Sequence, residues 1–323
     1  MKMDLVGLGS AIIDFSPSDL GVPLNEVRSF VPYAGGAVSN ILVASSRLGL
    51  KTGFIGCIGD DEFGSLILRD FKQENVDTSC VKRTRERLTG IAIYSVNRKG
   101  ERRYVFYRFP GYADPETLLR PEDIKDEYIA QSKMLHFSEA LLRNSQTRNT
   151  VFRALKTAKQ NDVQVSCDPN MRADLWTDFG DLRRTNKKAL CFTEIYIATL
   201  REASFVTGKK SAKDIAQKIA RWGPSIVVIR EKENYHVTTQ KKRFRLPIFK
   251  VKAVDTAGAG DAFDAGFLTG LIKGWDLQEA VLLGNSVAAL KVMKVGTRTG
   301  LPRLSEARKF LDERVKANLL VSL

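Results

Sequence analysis

The sequence predicts an α/β protein with a central, mostly parallel sheet flanked by helices and a small β-sheet set apart from it. Two observations carry this. After about residue 112, short apolar runs alternate with segments of helical length, the pattern of parallel strands joined by crossover helices. Two stretches break the alternation: residues 13–33 carry prolines and polar residues, and residues 88–109 read as two strands around a turn. The length of 323 residues allows one large core with a small accessory unit.

The elements follow in order. Leu5–Gly9 is an apolar first strand, and Gly35-Gly-Ala-Val-Ser-Asn40 leads into a helix over Ile41–Leu48 that stops at Gly49. Gly90–Asn97 and Arg102–Phe109 alternate as strands about the turn Arg98-Lys-Gly-Glu101. Strands are predicted at Met134–Phe137, Val163–Cys167, Ile195–Ala198 and Ile226–Ile229, with helices such as Thr147–Gln160 and Ala212–Trp222 between them. Phe249, Val251 and Ala253 alternate with Lys250 and Lys252 up to Val254, as a strand would. Beyond it Phe263, Phe267 and Leu271 recur every four residues, with Leu268 and Ile272 beside them, which predicts an amphipathic helix. The expected division is an α/β domain of residues 1–12, 34–87 and 110–323 with a β flap of residues 13–33 and 88–109.

Composition excludes several classes. The chain is 43% hydrophobic and 27% charged, ordinary for a globular protein. No apolar run is long enough to span a bilayer and the N-terminus lacks a signal-peptide core, so a cytoplasmic protein is expected. Cys57, Cys80, Cys167 and Cys191 form no CxxC and are expected as buried, reduced thiols. With only His136 and His236, a His-based metal site has little material, and His136 in Met134-Leu-His-Phe137 reads as a strand residue. The net charge is +14, with basic clusters at 82–87, 98–103 and 241–245. None shows the glycine-aromatic pattern of an RNA-binding sheet, which argues against nucleic acid as the main partner.

The chemistry lies in Asp255-Thr-Ala-Gly-Ala-Gly-Asp-Ala-Phe263. Gly258, Ala259 and Gly260 let backbone N–H groups converge at a helix N-terminus, which favours a phosphate or developing anion. Asp261 sits at the mouth of that site. A carboxylate there weakens phosphate holding but suits removal of a proton from a hydroxyl attacking the phosphate. The spacing is neither the Gly-x4-Gly-Lys-Ser/Thr loop nor the dinucleotide fingerprint. Taken alone, the glycines also fit a plain turn before an acidic helical start. At the other end of the chain, Gly35 and Gly36 let the backbone approach a ligand, and Asn40 offers donor and acceptor to a hydroxyl pair.

The whole motif resembles the C-terminal signature Asp-Thr-x-Gly-Ala-Gly-Asp of the PfkB (ribokinase-like) carbohydrate kinase family. Gly35–Asn40 and Gly59-Asp-Asp-Glu-Phe-Gly64 resemble its N-terminal blocks, and the likeness runs over about residues 3–310. It implies a ribokinase-like fold whose β flap is a lid over the sugar. It also implies transfer of a phosphoryl group from Mg·ATP to a primary hydroxyl. Asp261 would be the general base, with Gly258, Ala259 and Gly260 as the anion hole. Asp255, Thr256 and Asn285 would lie on the nucleotide side. Asp14, Gly35, Gly36 and Asn40 would hold sugar hydroxyls. Tyr104-Val-Phe-Tyr-Arg108 and Asp168-Pro-Asn-Met-Arg172 resemble segments of the fructokinase and 2-keto-3-deoxygluconate kinase branches, placing Tyr107, Arg108 and Arg172 at the acceptor. A neutral ketose and a keto sugar acid both stay open, and Arg172 would alternatively brace its loop by pairing with Asp168 or Asp174. Pairing of lid edge strands in the family implies a homodimer, and nothing in the chain implies a membrane.

The chain also departs from the family pattern. Thr199-Leu-Arg-Glu202 replaces Asn-x-x-Glu but keeps Glu202, which would reach the magnesium through water. Ile229-Arg-Glu-Lys-Glu-Asn234 lacks the threonine and glycines of the nucleotide loop, and Glu231 would repel ATP unless Arg230 or Lys232 turns inward. Gly296-Thr-Arg-Thr-Gly-Leu-Pro302 matches the monovalent-cation loop only in part, which leaves potassium activation unsupported. A second function class therefore stays open beside the kinase: a kinase-derived regulatory protein that binds nucleic acid or protein and makes weak or no use of ATP.

Overall fold

The computed structural model describes residues 2–98, 102–106, 114–172 and 176–321. Among these residues the strands are β1 Leu5–Leu8, β2 Ile12–Pro17, β3 Phe30–Gly35, β4 Thr52–Gly59, β5 Val76–Thr84, β6 Ile91–Val96, β7 Arg102–Phe106, β8 Met134–Phe137, β9 Gln164–Cys167, β10 Ile195–Thr199, β11 Ile226–Arg230, β12 Asn234–Thr239 and β13 Arg243–Pro247. The helices are α1 Ala37–Arg47, α2 Glu62–Gln73, α3 Asp126–Ala130, α4 Ser145–Gln160, α5 Phe179–Leu190, α6 Leu200–Thr207, α7 Ala212–Ala220, α8 Ala259–Ile272, α9 Leu277–Val292 and α10 Leu304–Val321.

Nine strands form the main sheet in the order β13-β12-β11-β10-β9-β8-β1-β4-β5. Strands β5 through β11 in that order pair in parallel, and the two at the far edge, β12 and β13, are antiparallel. Strands β1, β4 and β8 are buried at every position, because helices cover both faces and leave no side for polar alternation. On one face Val151, Ala154, Leu155 and Ala158 of α4 pack with Ile215 and Ile219 of α7. On the other, α1, α8 and α9 contribute Ile41, Leu42, Phe263, Phe267, Val281 and Val287. Four strands form the second sheet, in the order β3-β2-β6-β7, tied internally by the Tyr94 hydroxyl donating to Ser16 Oγ at 2.8 Å.

Helix α8 departs from its periodicity. Residues 261–270 are all buried, so the helix is covered all round rather than amphipathic, with Asp261 and Asp264 among its buried residues. Its second face carries Ala262, Ala265, Gly266 and Gly270, and these small residues bring α9 against it backbone to backbone. A Cβ on Gly266 would lie 2.7 Å from Gly284 Cα, and one on Gly270 would lie 2.8 Å from Ala280 Cα. Phe263 stacks on Tyr235 of β12, with ring centroids 4.2 Å apart.

The expected strand over Phe249–Val254 is absent. After Pro247 the chain leaves the sheet, and its backbone is held by α9 instead: Phe249 N donates to Asn285 Oδ1 at 3.0 Å, and Val254 N to Val292 O at 2.8 Å. Phe249, Lys250, Val251 and Ala253 of that segment border a cavity described below. Cys57, Cys80 and Cys167 are buried free thiols, but Cys191 is exposed in the turn after α5. His136 lies in β8 beside Ser166, with ring nitrogen and Oγ 2.9 Å apart, and burial lowers its pKa to about 4, so it is neutral near pH 7.

Because α8 and α9 touch through glycine, Gly266→Ala is expected to destabilise the protein by ~1–3 kcal/mol through overpacking. A denaturant midpoint equal to that of the unaltered protein would refute the close contact.

Candidate active site

The carboxyl ends of β1, β8, β9, β10 and β11 open onto one side of the sheet. Ser10, Ser138, Asn170, Thr199 and Arg230 follow or end those strands, and all line a cavity of about 260 Å³. The cavity sits where the winding reverses, since β1 has β4 on one side and β8 on the other; open α/β sheets bind ligands there. Ile12 and Asp14 from β2 and Tyr104 from β7 roof it, and the start of α1 forms one wall. A second cavity of about 1230 Å³ adjoins it. Thr199, Arg230, Thr256, Ala259 and Gly260 line both, so the glycine turn is a shared wall.

That turn is built to be rigid. Gly258 has φ 69°, and a Cβ there would lie 3.0 Å from Thr297 O, so glycine is required on both counts. Asp255 is fully buried; its Oδ1 accepts from Ala257 N and its Oδ2 from Gly296 N, each at 2.8 Å. Asp255 therefore braces the turn from behind and lines neither cavity. Asp261 stands in the first turn of α8, 8% exposed, and Asn40 Nδ2 donates to its Oδ2 at 2.8 Å. Burial pushes the Asp261 carboxyl above the ordinary aspartate range; the Asn40 hydrogen bond pulls it down, Asp168 adds to the rise, and Arg230 and Arg172 oppose it.

Arg230 is the residue that sequence reasoning undervalued. It turns inward, but toward carboxylates: it pairs with Asp168 at 2.6 Å and Asp264 at 2.8 Å and donates to Gly260 O at 3.2 Å. Burial works to raise Asp168, yet Arg230 holds that carboxyl below its usual range. Asp264, buried against both, is pushed well above it. Asp168, Asp264 and the Arg230 guanidinium form one buried charged cluster beneath the glycine turn. Glu231 lines the larger cavity, but its carboxylate is 2.9 Å from His236 Nε2 on β12, which draws the charge to the rim.

Gly36 and Asn40 line the smaller cavity, with Gly36 at φ 97°. Gly35 does not line it. Its role is clearance, since a Cβ there would lie 2.1 Å from the Asp14 carboxylate. Arg172 lines the cavity; its N–H donates to Glu139 Oε1 at 3.0 Å, and Asp168 takes Arg230 as partner instead. Tyr107, Arg108 and Asp174 lie outside the described residues. Arg143, 3.7 Å from Glu139, lines the same cavity and was missed, because no motif marks the short turn after β8. Glu202 also lines it, but its carboxylate caps α6: Oε2 accepts from Thr199 N at 2.9 Å and Oε1 from Met171 N at 2.8 Å. Asn285 lines the larger cavity while its amide serves the backbone, accepting from Phe249 N and donating to Pro247 O.

The sequence model of the "pfkB family carbohydrate kinase" family matches residues 2–304. A 5-dehydro-2-deoxygluconokinase from Clostridium beijerinckii is 32% identical over 321 residues, covering 97% of this chain and 94% of its own. The Arabidopsis thaliana protein named "Probable fructokinase-2" is 30% identical over 322 residues, covering 97% of each chain. A chain from E. coli, solved in complex with ATP and Mg2+, shares the fold with a TM-score of 0.88 at 22% identity, over 96% of this chain and 99% of that one.

Removing Arg230 leaves the ionised Asp168 buried without its counter-charge, so Arg230→Met is expected to cost about 3–5 kcal/mol at neutral pH. Asp168 has a depressed folded-state pKa, so its stabilising contribution is present above its unfolded value and lost as pH falls through the folded one. The gap between variant and parent in urea unfolding should therefore narrow in acid; a gap independent of pH would contradict the ion-pair account.

Proposed function

The chain belongs to the pfkB family of carbohydrate kinases and transfers a phosphoryl group to a sugar hydroxyl, and from that premise we propose that Asp261 is the general base. The observation that carries this is the shared wall: the Gly258–Gly260 turn borders both cavities, and Asp261 points into the smaller one. The acceptor sugar occupies the smaller cavity, roofed by the β2 and β7 strands as a lid that keeps water from competing. In this reading the lid comprises residues 13–33 and 88–109, and the rest of the chain is the kinase domain. ATP occupies the larger cavity, where Tyr235, Phe249, Val251 and Phe263 offer a purine apolar faces.

Asp261 takes the hydroxyl proton as the oxygen attacks. The N–H groups at the start of α8 stabilise charge on the transferring phosphoryl group, and Thr256 orients the chain of phosphates. Mg2+, when bound, neutralises phosphate charge. Among the described residues no three His, Cys, Asp or Glu side chains converge as a metal cage, which fits an ion carried on phosphates with its own waters. Glu202, which borders the smaller cavity, would meet those waters only through lone pairs that its two backbone hydrogen bonds leave open.

Asp14 and Asn40 suit hydroxyl pairs. Arg143 and Arg172 lining one cavity favour an acceptor that also bears a carboxylate, a keto sugar acid, over a neutral ketose. The outer strand of the lid, β3, exposes Val31 and Tyr33, and a homodimer through this edge belongs to the proposal. The alternative of a kinase-derived binding protein is not favoured: the anion-hole turn is intact and Glu231 is paired away from it.

A coupled ADP-release assay with Mg·ATP tests the base. Asp261→Asn should lower turnover ~10²–10⁴-fold with little change in acceptor KM; full turnover would sink the assignment. Because the Asp261 pKa is raised, turnover should fall with an acid limb above the ordinary carboxylate range as the base becomes protonated. The same assay compares acceptors. Arg172→Ala should reduce kcat/KM on 5-dehydro-2-deoxygluconate by about ten- to hundredfold, with a smaller effect on fructose; an equal loss on both would favour a neutral ketose.

A further inference from the structure

Arg298 lies in the turn after α9, 37 positions after Asp261 in the chain, and is 6% exposed. Its guanidinium is shared among three side chains. Nε donates to Asn40 Oδ1 at 2.8 Å, one terminal nitrogen donates to Ser39 Oγ, and the other pairs with the Asp70 carboxylate of α2. The turn itself is clamped, since Arg47 Nη1 donates to Arg298 O at 2.8 Å. Asn40 passes the contact on, because its Nδ2 donates to Asp261 Oδ2 at 2.8 Å.

An amide has one acceptor end and one donor end. With the guanidinium on its oxygen, Asn40 can present only N–H to Asp261. Flipped, it would set its oxygen against the carboxylate and its N–H against the guanidinium, two repulsive contacts in a buried place. The proposed kinase reading supplies the consequence. We propose that Arg298 is a positioning residue for the catalytic base: it holds the Asn40 amide in the one orientation that donates to Asp261. The donated hydrogen bond favours the ionised carboxylate, the form that accepts the proton. Asp261 is also faced by Asp168 and Arg230 at the ends of β9 and β11, by Arg172, and by Asp264 one helical turn on. Among the described residues the Arg298 guanidinium bonds to Asn40, Ser39 and Asp70, and of these Asn40 is the one that touches the base. Asp70 offsets its buried charge.

The pH profile of turnover reads this directly. In Arg298→Met the amide is released. The acid limb should move up by roughly one pH unit, the equivalent of one hydrogen bond to the carboxylate, so turnover at a pH on that limb should drop about tenfold. Asn40→Ala should move the limb at least as far, and the double variant should match Asn40→Ala, because the two residues act in series. An acid limb that stays in place in Arg298→Met, or a double variant whose shift is the sum of the two, would overturn the proposal. If Arg298→Met does not fold, Asp70→Asn loosens the guanidinium without removing it; a smaller upward shift is then expected, and an unmoved limb again overturns it. Asp261→Asn run beside them separates the two failures. Turnover retained in Asp261→Asn defeats the assignment of the base; turnover lost there, with the limb unmoved in Arg298→Met, defeats only the role of Arg298.

Discussion

The hydrogen bond between Asn40 and Asp261 joins the starts of two helices that come to the site from opposite ends of the chain. It forms only because α1 and α8 both run back from the carboxyl ends of the central strands. α8 can reach that place only because its glycine face lets α9 approach backbone to backbone. Both helix starts need glycine ahead of them, Gly36 for α1 and Gly258 for α8, each with positive φ and each with no room for a Cβ. The contact ties the start of α1 to the carboxylate that stands beside the glycine turn. The two cavities are adjacent for the same reason: they share the turn that the contact fixes.

Beneath that contact the site carries more buried acid than a stable interior would choose. Asp168, Glu202, Asp255, Asp261 and Asp264 all lie within the same region, and each would cost several kcal/mol if left ionised and unpaired. Three devices manage this. Arg230 pairs with both Asp168 and Asp264, holding the first below its ordinary range while burial pushes the second well above it. Backbone N–H groups occupy the oxygens of Asp255 and Glu202. Asp261 has an amide on one oxygen and, with Asp14, borders the smaller cavity. In the proposed reading it is the acid beside the glycine turn, the arrangement a proton acceptor needs. The substitution of the family's threonine and glycines at Ile229–Asn234 thus has a structural logic. Arg230 replaces backbone contact with an ion-pair strut, and Glu231 is tied to His236 across the antiparallel pair.

Much was open to reading from residues alone. Strands at Met134–Phe137 and Ile226–Ile229 and helices over Thr147–Gln160 and Ala212–Trp222 lie within a residue or two of their observed bounds, because buried parallel strands and covering helices impose strong apolar patterns. Gly258–Asp261 was legible for the same kind of reason: positive φ and a helix start leave local marks in sequence. The errors share a cause as well. Phe249–Val254 alternates like a strand, yet its backbone partner is the Asn285 side chain on a distant helix. Phe263, Phe267 and Leu271 suggested an amphipathic helix because small residues on the other face look neutral until α9 packs on them.

The sequence by itself determined the α/β class, the glycine turn with its acid at a helix start, and the kinase family, since each depends on local conformation or on residues contiguous in the chain. Only the tertiary structure decided how the buried acids are partnered, that Arg230 is a strut and Arg143 a wall of the smaller cavity, that Asn285 serves the backbone, and that Arg298 stands behind Asn40. Several of these are contacts between residues far apart in the chain, such as Arg230 with Asp264 and Arg298 with Ser39. Electrostatic partnership depends on distance and burial in space, and no local pattern of residue types records either.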